Sequence, residues 1–182
     1  MTIINAKWGD VDNKFNHYIW DGMDCKVIEI TPSMTDWEQI VDDAIANETD
    51  TLIFVGHGSA YGLYFPSLTF DEYILHPNNV NLIKAKNVIC IWCYASSFCQ
   101  KYQLKALASS MFISNSIEAE TVLGISPSQD DVTTIQIKIF VEINQLLKNK
   151  TELKDYVMIL GAKTDIDNPI DTFNRQGFIY IE

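Results

Sequence analysis

Two runs of consecutive apolar residues constrain this chain most, Leu52-Ile-Phe-Val55 and Val88-Ile-Cys-Ile-Trp92. A strand with one wet face alternates apolar and polar side chains, whereas a strand covered on both faces is apolar throughout. Both runs therefore read as central strands of a largely parallel sheet. Parallel neighbours need long crossover connections, commonly helical. The sequence supplies them. Trp37, Ile40, Val41, Ala44 and Ile45 form the stripe of an amphipathic helix, and Val132, Ile135, Ile139, Ile143, Leu146 and Leu147 trace a longer one over about 130–148. Ser128 with Asp131 marks the start of that second helix.

Further strands are expected at Ile3–Ala6, Cys25–Ile30, Met111–Ser114, Tyr156–Leu160 and 177–181. The Thr69-x-x-Glu72 pattern predicts a capping box opening a short helix that stops by Pro77. Helical turns are expected over 80–86 and a helix over 97–110. Residues 8–23 read as a loop or hairpin, the aromatic-rich 61–68 as a hairpin or excursion, and 115–129 as a polar connection. Strands alternating with helices predict an α/β fold, a three-layer α/β/α sandwich with a mostly parallel central sheet, as a single domain over 1–182. A chain of 182 residues is long enough for one substantial core.

Thirteen basic against 24 acidic residues give a net charge of −11. Such a chain repels phosphate backbones, so no nucleic-acid partner is expected. No apolar run approaches the ~18 residues of a membrane helix, so no membrane partner is expected either. Met1 to Trp8 lacks the basic start and long apolar stretch of a signal peptide, and a cytoplasmic location is the expectation. Of four cysteines, Cys90, Cys93 and Cys99 crowd together while Cys25 stands apart. That spacing fits reduced thiols better than a disulfide scaffold.

Each central strand delivers a reactive side chain just where its apolar run stops: His57 after the first, Cys93 after the second. Ligands of open parallel sheets bind beyond the carboxyl ends of the strands. If the two strands are parallel neighbours, His57 and Cys93 emerge on one edge as a base and a thiol nucleophile. Gly58 leaves its backbone N–H approachable, and with the Cys93 N–H it would form an oxyanion hole. A helix beginning just after Cys93 would favour its thiolate. The plainer alternative makes His57 a turn residue and Cys93 a small core residue; their equivalent placement at two strand ends favours chemistry. Cys90 and Cys25 are expected in the core, and Cys99 has no assigned role.

The succession of apolar strand, His57-Gly58, excursion, apolar strand and Cys93 resembles the caspase-like cysteine peptidases over about residues 48–117. The resemblance implies a caspase–haemoglobinase-like fold, His57 as the dyad base, Cys93 as the nucleophile and Gly58 at the oxyanion position. It further implies a strong preference for the substrate residue N-terminal to the cut. Three positions depart from the family pattern. Trp92 stands where a small residue is common, Tyr94-Ala-Ser96 lacks the glycine that commonly follows the nucleophile, and Ile91 replaces the acidic residue of the metacaspase type.

The expected function is that of a cysteine endopeptidase cleaving a peptide or protein substrate, regulated by an activating partner, a homodimer or processing within 115–129. The alternative is an inactive caspase-like module that binds a peptide or protein. Segments 58–66 and 115–129 would wall the substrate groove. Asn115, Ser116, Glu118 and Glu120 are candidates to line its specificity pocket, where an acidic group would suit a basic side chain; as solvated loop residues they would do none of this. The chemistry requires no organic cofactor and no metal. A zinc site from Cys90, Cys93, Cys99 and His57 is disfavoured because strand residues three apart face opposite ways. A thioredoxin-like pair needs both thiols at a helix N-terminus. A nucleotide binder needs a glycine-rich phosphate loop that the chain lacks.

Overall fold

A computed structural model of the chain describes residues 1–67 and 69–182. Leu68, the last residue of the expected aromatic excursion, lies outside the described residues. In chain order the elements are β1 (Thr2–Ala6), β2 (Lys26–Ile30), α1 (Trp37–Asn47), β3 (Thr51–Val55), β4 (Gly58–Ser59), β5 (Gly62–Tyr64), β6 (Tyr73–Leu75), β7 (Asn87–Ile91), α2 (Ala95–Lys101), β8 (Ala106–Ser109), α3 (Ser116–Leu123), α4 (Gln129–Lys148), α5 (Leu153–Ala162), α6 (Pro169–Gln176) and β9 (Phe178–Ile181). Six strands form one sheet in the order β2-β1-β3-β7-β8-β9; β4, β5 and β6 form a small second sheet. All pairings in the large sheet are parallel except that of β8 with β9.

The apolar runs are central because both faces of the sheet are covered. On one face, Leu52, Phe54, Val88 and Cys90 pack with Trp37, Val41 and Ile45 of α1 and Phe98 and Cys99 of α2. On the other, Ile53, Val55, Ile89 and Ile91 pack with Ile135, Ile139 and Ile143 of α4, Tyr156 and Leu160 of α5 and Ile170 of α6. The fold is thus mixed α/β, with helices on both faces of a mostly parallel sheet, an arrangement compatible with a three-layer α/β/α sandwich. No described helix is long and apolar enough to cross a membrane.

Several local expectations are corrected. Tyr156–Leu160 is not a strand but part of α5. That helix buries Leu153, Tyr156 and Leu160, a helical spacing, and leaves Met158 69% exposed. The expected helix over 97–110 ends at Lys101, and Ala106–Ser109 is a fully buried strand beside β7. Two alanines favour a helix locally, but tertiary pairing overrides that weak preference. Met111–Ser114 is accordingly the turn beyond that strand. Tyr73–Leu75 pairs with β5 in place of a helix after Thr69. The expected polar connection over 115–129 contains α3, because the Asn115 side chain accepts the Glu118 N–H and caps a helix there. The Ser128–Asp131 capping box of α4 is present as expected.

The strand order reverses between β1 and β3: β1 continues outward to β2, whereas β3 continues toward β7. A crevice opens at such a switch point, beyond the carboxyl ends of the strands. The loop leaving β1 is held over it. Buried Asn16 donates to Asn5 Oδ1 at 3.1 Å and to Asn13 Oδ1 at 3.0 Å, while Asn144 of α4 donates to the Ile19 carbonyl at 3.1 Å.

Candidate active site

The register of β3 against β7 pairs Thr51 with Asn87 and Val55 with Ile91. His57 and Cys93 each follow two residues after that last pair. Both residues lie beyond the carboxyl ends of their strands, where ligands of such sheets bind. There they line one cleft with Asp12, Phe112, Ser114 and Gln136.

The turn carrying Cys93 is clamped from β8. The Ser109 hydroxyl accepts the Trp92 N–H at 3.1 Å and donates to the Trp92 carbonyl at 2.8 Å, and the Tyr94 N–H donates to the Ser110 carbonyl at 3.1 Å. Tyr94 adopts the left-handed region, with φ 66°. The Cys93 N–H donates to no protein acceptor among the described residues. The loop beyond β8 is fixed in turn by Asn174, which pairs with both the N–H (2.8 Å) and carbonyl (2.9 Å) of Ile113.

Trp92, out of pattern for the resemblance, has a structural reason. Its indole is buried against Gly58 and donates to the Ser59 carbonyl at 3.0 Å. A Cβ on Gly58 would lie 2.2 Å from Trp92 Cδ1, so the glycine makes room for the tryptophan. Gly58 stands opposite Leu63, and the Tyr64 N–H donates to the His57 carbonyl at 2.9 Å. That bond makes Gly58–Leu63 a non-hydrogen-bonded pair. The Gly58 N–H therefore points away from β5, out of the hairpin ladder.

Two residues that the sequence reading missed complete the site. His57 Nε2 lies 2.7 Å from Asp10 Oδ2 and 3.8 Å from Asp12 Oδ2. Both aspartates come from the loop after β1, and Trp8 packs edge-on to the His57 ring at 5.1 Å. Burial alone would raise the Asp10 carboxyl, but hydrogen bonds from Asn13 and His57 outweigh it and hold it below its ordinary value. Burial raises the Asp12 carboxyl, with Asn115 and His57 opposing. The signal for these residues was their place one loop past β1, on the edge that carries His57.

The Cys93 thiol differs from the expected helix-favoured thiolate. Burial pushes it up to about 11; a hydrogen bond from the Phe112 backbone opposes this, and the Glu118 and Asp12 carboxylates add to it. The resting thiol is neutral and donates to the Phe112 carbonyl across 3.7 Å.

The four candidates for the specificity pocket are placed unequally. Asn115 Nδ2 donates to both Asp12 oxygens, at 3.1 and 3.0 Å, so it braces the site from behind. Glu118 accepts from the Ser114 N–H at 2.8 Å and the Ser114 hydroxyl at 3.0 Å, and burial raises its carboxyl. Ser116 donates its N–H to Gln129 Oε1 at 3.1 Å, and Glu120 lies on the exposed side of α3. None of the four lines the cleft shared by His57 and Cys93. Cys90 and Cys99 are buried and Cys25 is partly buried.

Comparison with protein-family models, curated proteins and solved structures finds no match to this chain.

Proposed function

We propose that the chain is a cysteine endopeptidase of the caspase-like kind, with a caspase–haemoglobinase-like fold, acting on a peptide or protein substrate in the cytoplasm. The observation that carries the reading is the β3–β7 register, which brings His57 and Cys93 to one cleft at the carboxyl edge of the sheet. Asp10 accepts from His57 Nε2 in this mechanism, leaving Nδ1 as the ring nitrogen that exchanges protons.

The steps follow from a neutral resting thiol. A substrate carbonyl entering the cleft displaces the contact between the thiol and Phe112. The thiol proton passes to His57, and the partly exposed Asp10 carboxylate stabilises the imidazolium that forms. The thiolate attacks the carbonyl carbon, and the N–H groups of Gly58 and Cys93 stabilise the oxyanion. The imidazolium gives its proton to the leaving amine, and a thioester to Cys93 forms. His57 then takes a proton from water, the hydroxide attacks the thioester, and the carboxylic acid leaves as the thiol is restored.

Hydrolysis of a peptide library by the wild type, abolished in both Cys93→Ala and His57→Ala with folding intact, is the expected result. Hydrolysis that persists in either variant overturns the reading. The second reading is an inactive caspase-like module that binds a peptide or protein partner. The buried thiol, raised to about 11, favours it. It predicts peptide binding without turnover, unchanged in Cys93→Ala. An activating partner or homodimer fits the peptidase reading, since a free thiolate has to be created at this site. Processing, expected within 115–129, is left with 124–128 as the stretch between α3 and the Ser128 cap of α4.

A further inference from the structure

The loop after β1 and the turn after β3 bring three metal-ligating side chains together. One ligand atom each from Asp10, Asp12 and His57 lie within 4.8 Å of one another. Around a tetrahedral zinc with bonds of about 2.0–2.2 Å, ligand atoms stand roughly 3.3–3.6 Å apart, so side-chain shifts of roughly 1 Å suffice. The carboxylates are already oriented from behind. Asp10 Oδ1 accepts from the N–H of Asn13 at 3.1 Å and its Nδ2 at 3.0 Å, and Asp12 accepts from Asn115. Outer partners of this kind aim metal ligands. Among the described residues, no lysine or arginine pairs with either aspartate.

A separate observation points to a missing ligand. Gln136 of α4 is 2% exposed and lines the same cleft. Its Nε2 donates to the Asp12 carbonyl at 2.7 Å, and its Oε1 is buried with no partner among the described residues. Leaving such an acceptor unmet is unfavourable, because it has given up its hydrogen bonds to water.

We propose that Asp10, Asp12 and His57 bind a divalent first-row cation of the zinc type, with Gln136 Oε1 accepting from the cation's bound water. One imidazole with two carboxylates suits zinc and its neighbours, whereas magnesium and calcium take oxygen-only sets. Three protein ligands leave the fourth position open to that water. The site stands independently of the peptidase reading. One consequence joins them: a cation on Nε2 takes that lone pair and leaves the ring proton on Nδ1. The ring then has no site for the thiol proton, so metal-bound and hydrolytically competent states exclude each other.

The test is calorimetric titration of the full chain, stripped of metal by a chelator, with Zn2+ and separately with Mg2+. The background is Cys93→Ala, which removes the nearby thiol. One zinc per chain is expected, no magnesium, and zinc affinity lower by roughly tenfold or more in Asp12→Asn and His57→Gln. X-ray absorption should report nitrogen and oxygen donors without sulfur, and circular dichroism checks that each variant is folded. No stoichiometric zinc in the Cys93→Ala protein, binding that survives both ligand substitutions, or sulfur coordination overturns the site. Peptide hydrolysis by a chain that fails to bind zinc removes the site and spares the dyad. Zinc bound as described, with no hydrolysis in chelator by the wild type, does the reverse.

Discussion

At the scale of single residues, Cys93 and Gly58 are governed by what packs against them. Burial favours the neutral thiol of Cys93, so its thiolate fraction rises with pH until about 11. Alkylation of Cys93 by a small neutral reagent, mapped by mass spectrometry, is expected to accelerate about tenfold per pH unit with no plateau by pH ~9. A plateau near neutrality would mean a thiolate already formed, and the resting state described here would be wrong. Gly58→Ala places a methyl against both the Trp92 ring and, at 2.6 Å, the Gly62 carbonyl oxygen, of which Trp92→Leu relieves only the first. Overpacking of this kind costs about 1–3 kcal/mol. Urea unfolding should show that loss, and pairing the change with Trp92→Leu should return part of it; strictly additive losses would show that the two positions do not touch.

At the scale of elements, the loops that hold the site are themselves held by caps and clamps. Asn115 caps α3 and also donates to Asp12. Asn115→Ala is expected to cost about 0.5–2 kcal/mol in thermal or urea unfolding; a variant as stable as the wild type would show that neither the cap nor the Asp12 contact stabilises the fold. Both central strands, α1 and the start of α4 were legible because each rests on local pattern: continuous apolar runs, a helical stripe, a Ser–Asp cap; the common edge of His57 and Cys93 rested besides on the expectation that the two strands are parallel neighbours, as they are. The elements that were misread rest on tertiary choices. Tyr156-Val-Met-Ile-Leu160 is apolar enough for a strand, and only its position above the sheet makes it a helix. Ala106-Leu-Ala-Ser109 becomes a strand because β7 and β9 flank it. Asp10 and Asp12 sit far from His57 in sequence, and only the reversal of strand order between β1 and β3 brings them beside it.

At the scale of the molecule, a buried ionic cluster ties the last helices to α4. Arg175 is fully buried; it donates through Nε to both Asp171 oxygens at 2.9 and 2.8 Å, through its two terminal nitrogens to Glu142 at 2.7 and 3.1 Å, and to the Leu160 carbonyl at 3.2 Å. Arg175→Met leaves the buried Asp171 carboxylate without its principal cation, Lys138 Nζ lying 3.8 Å away. The expected loss is about 3–5 kcal/mol, read as a lower denaturation midpoint. A loss below ~1 kcal/mol would show that Asp171 takes up a proton or finds another partner at little cost. The same α4 supplies Gln136 to the cleft, so the frame and the site share one rigid element.

The central claim is that Cys93 and His57 act as one unit at the carboxyl edge of the sheet. Its most direct test is covalent labelling with peptide warheads varied at the residue before the cut, mapped at Cys25, Cys90, Cys93 and Cys99, in the wild type and in His57→Ala. Labelling confined to Cys93, selective for one residue type and lost in His57→Ala, is the predicted result. Labelling with no preference for Cys93, or unaffected by the loss of His57, would contradict it.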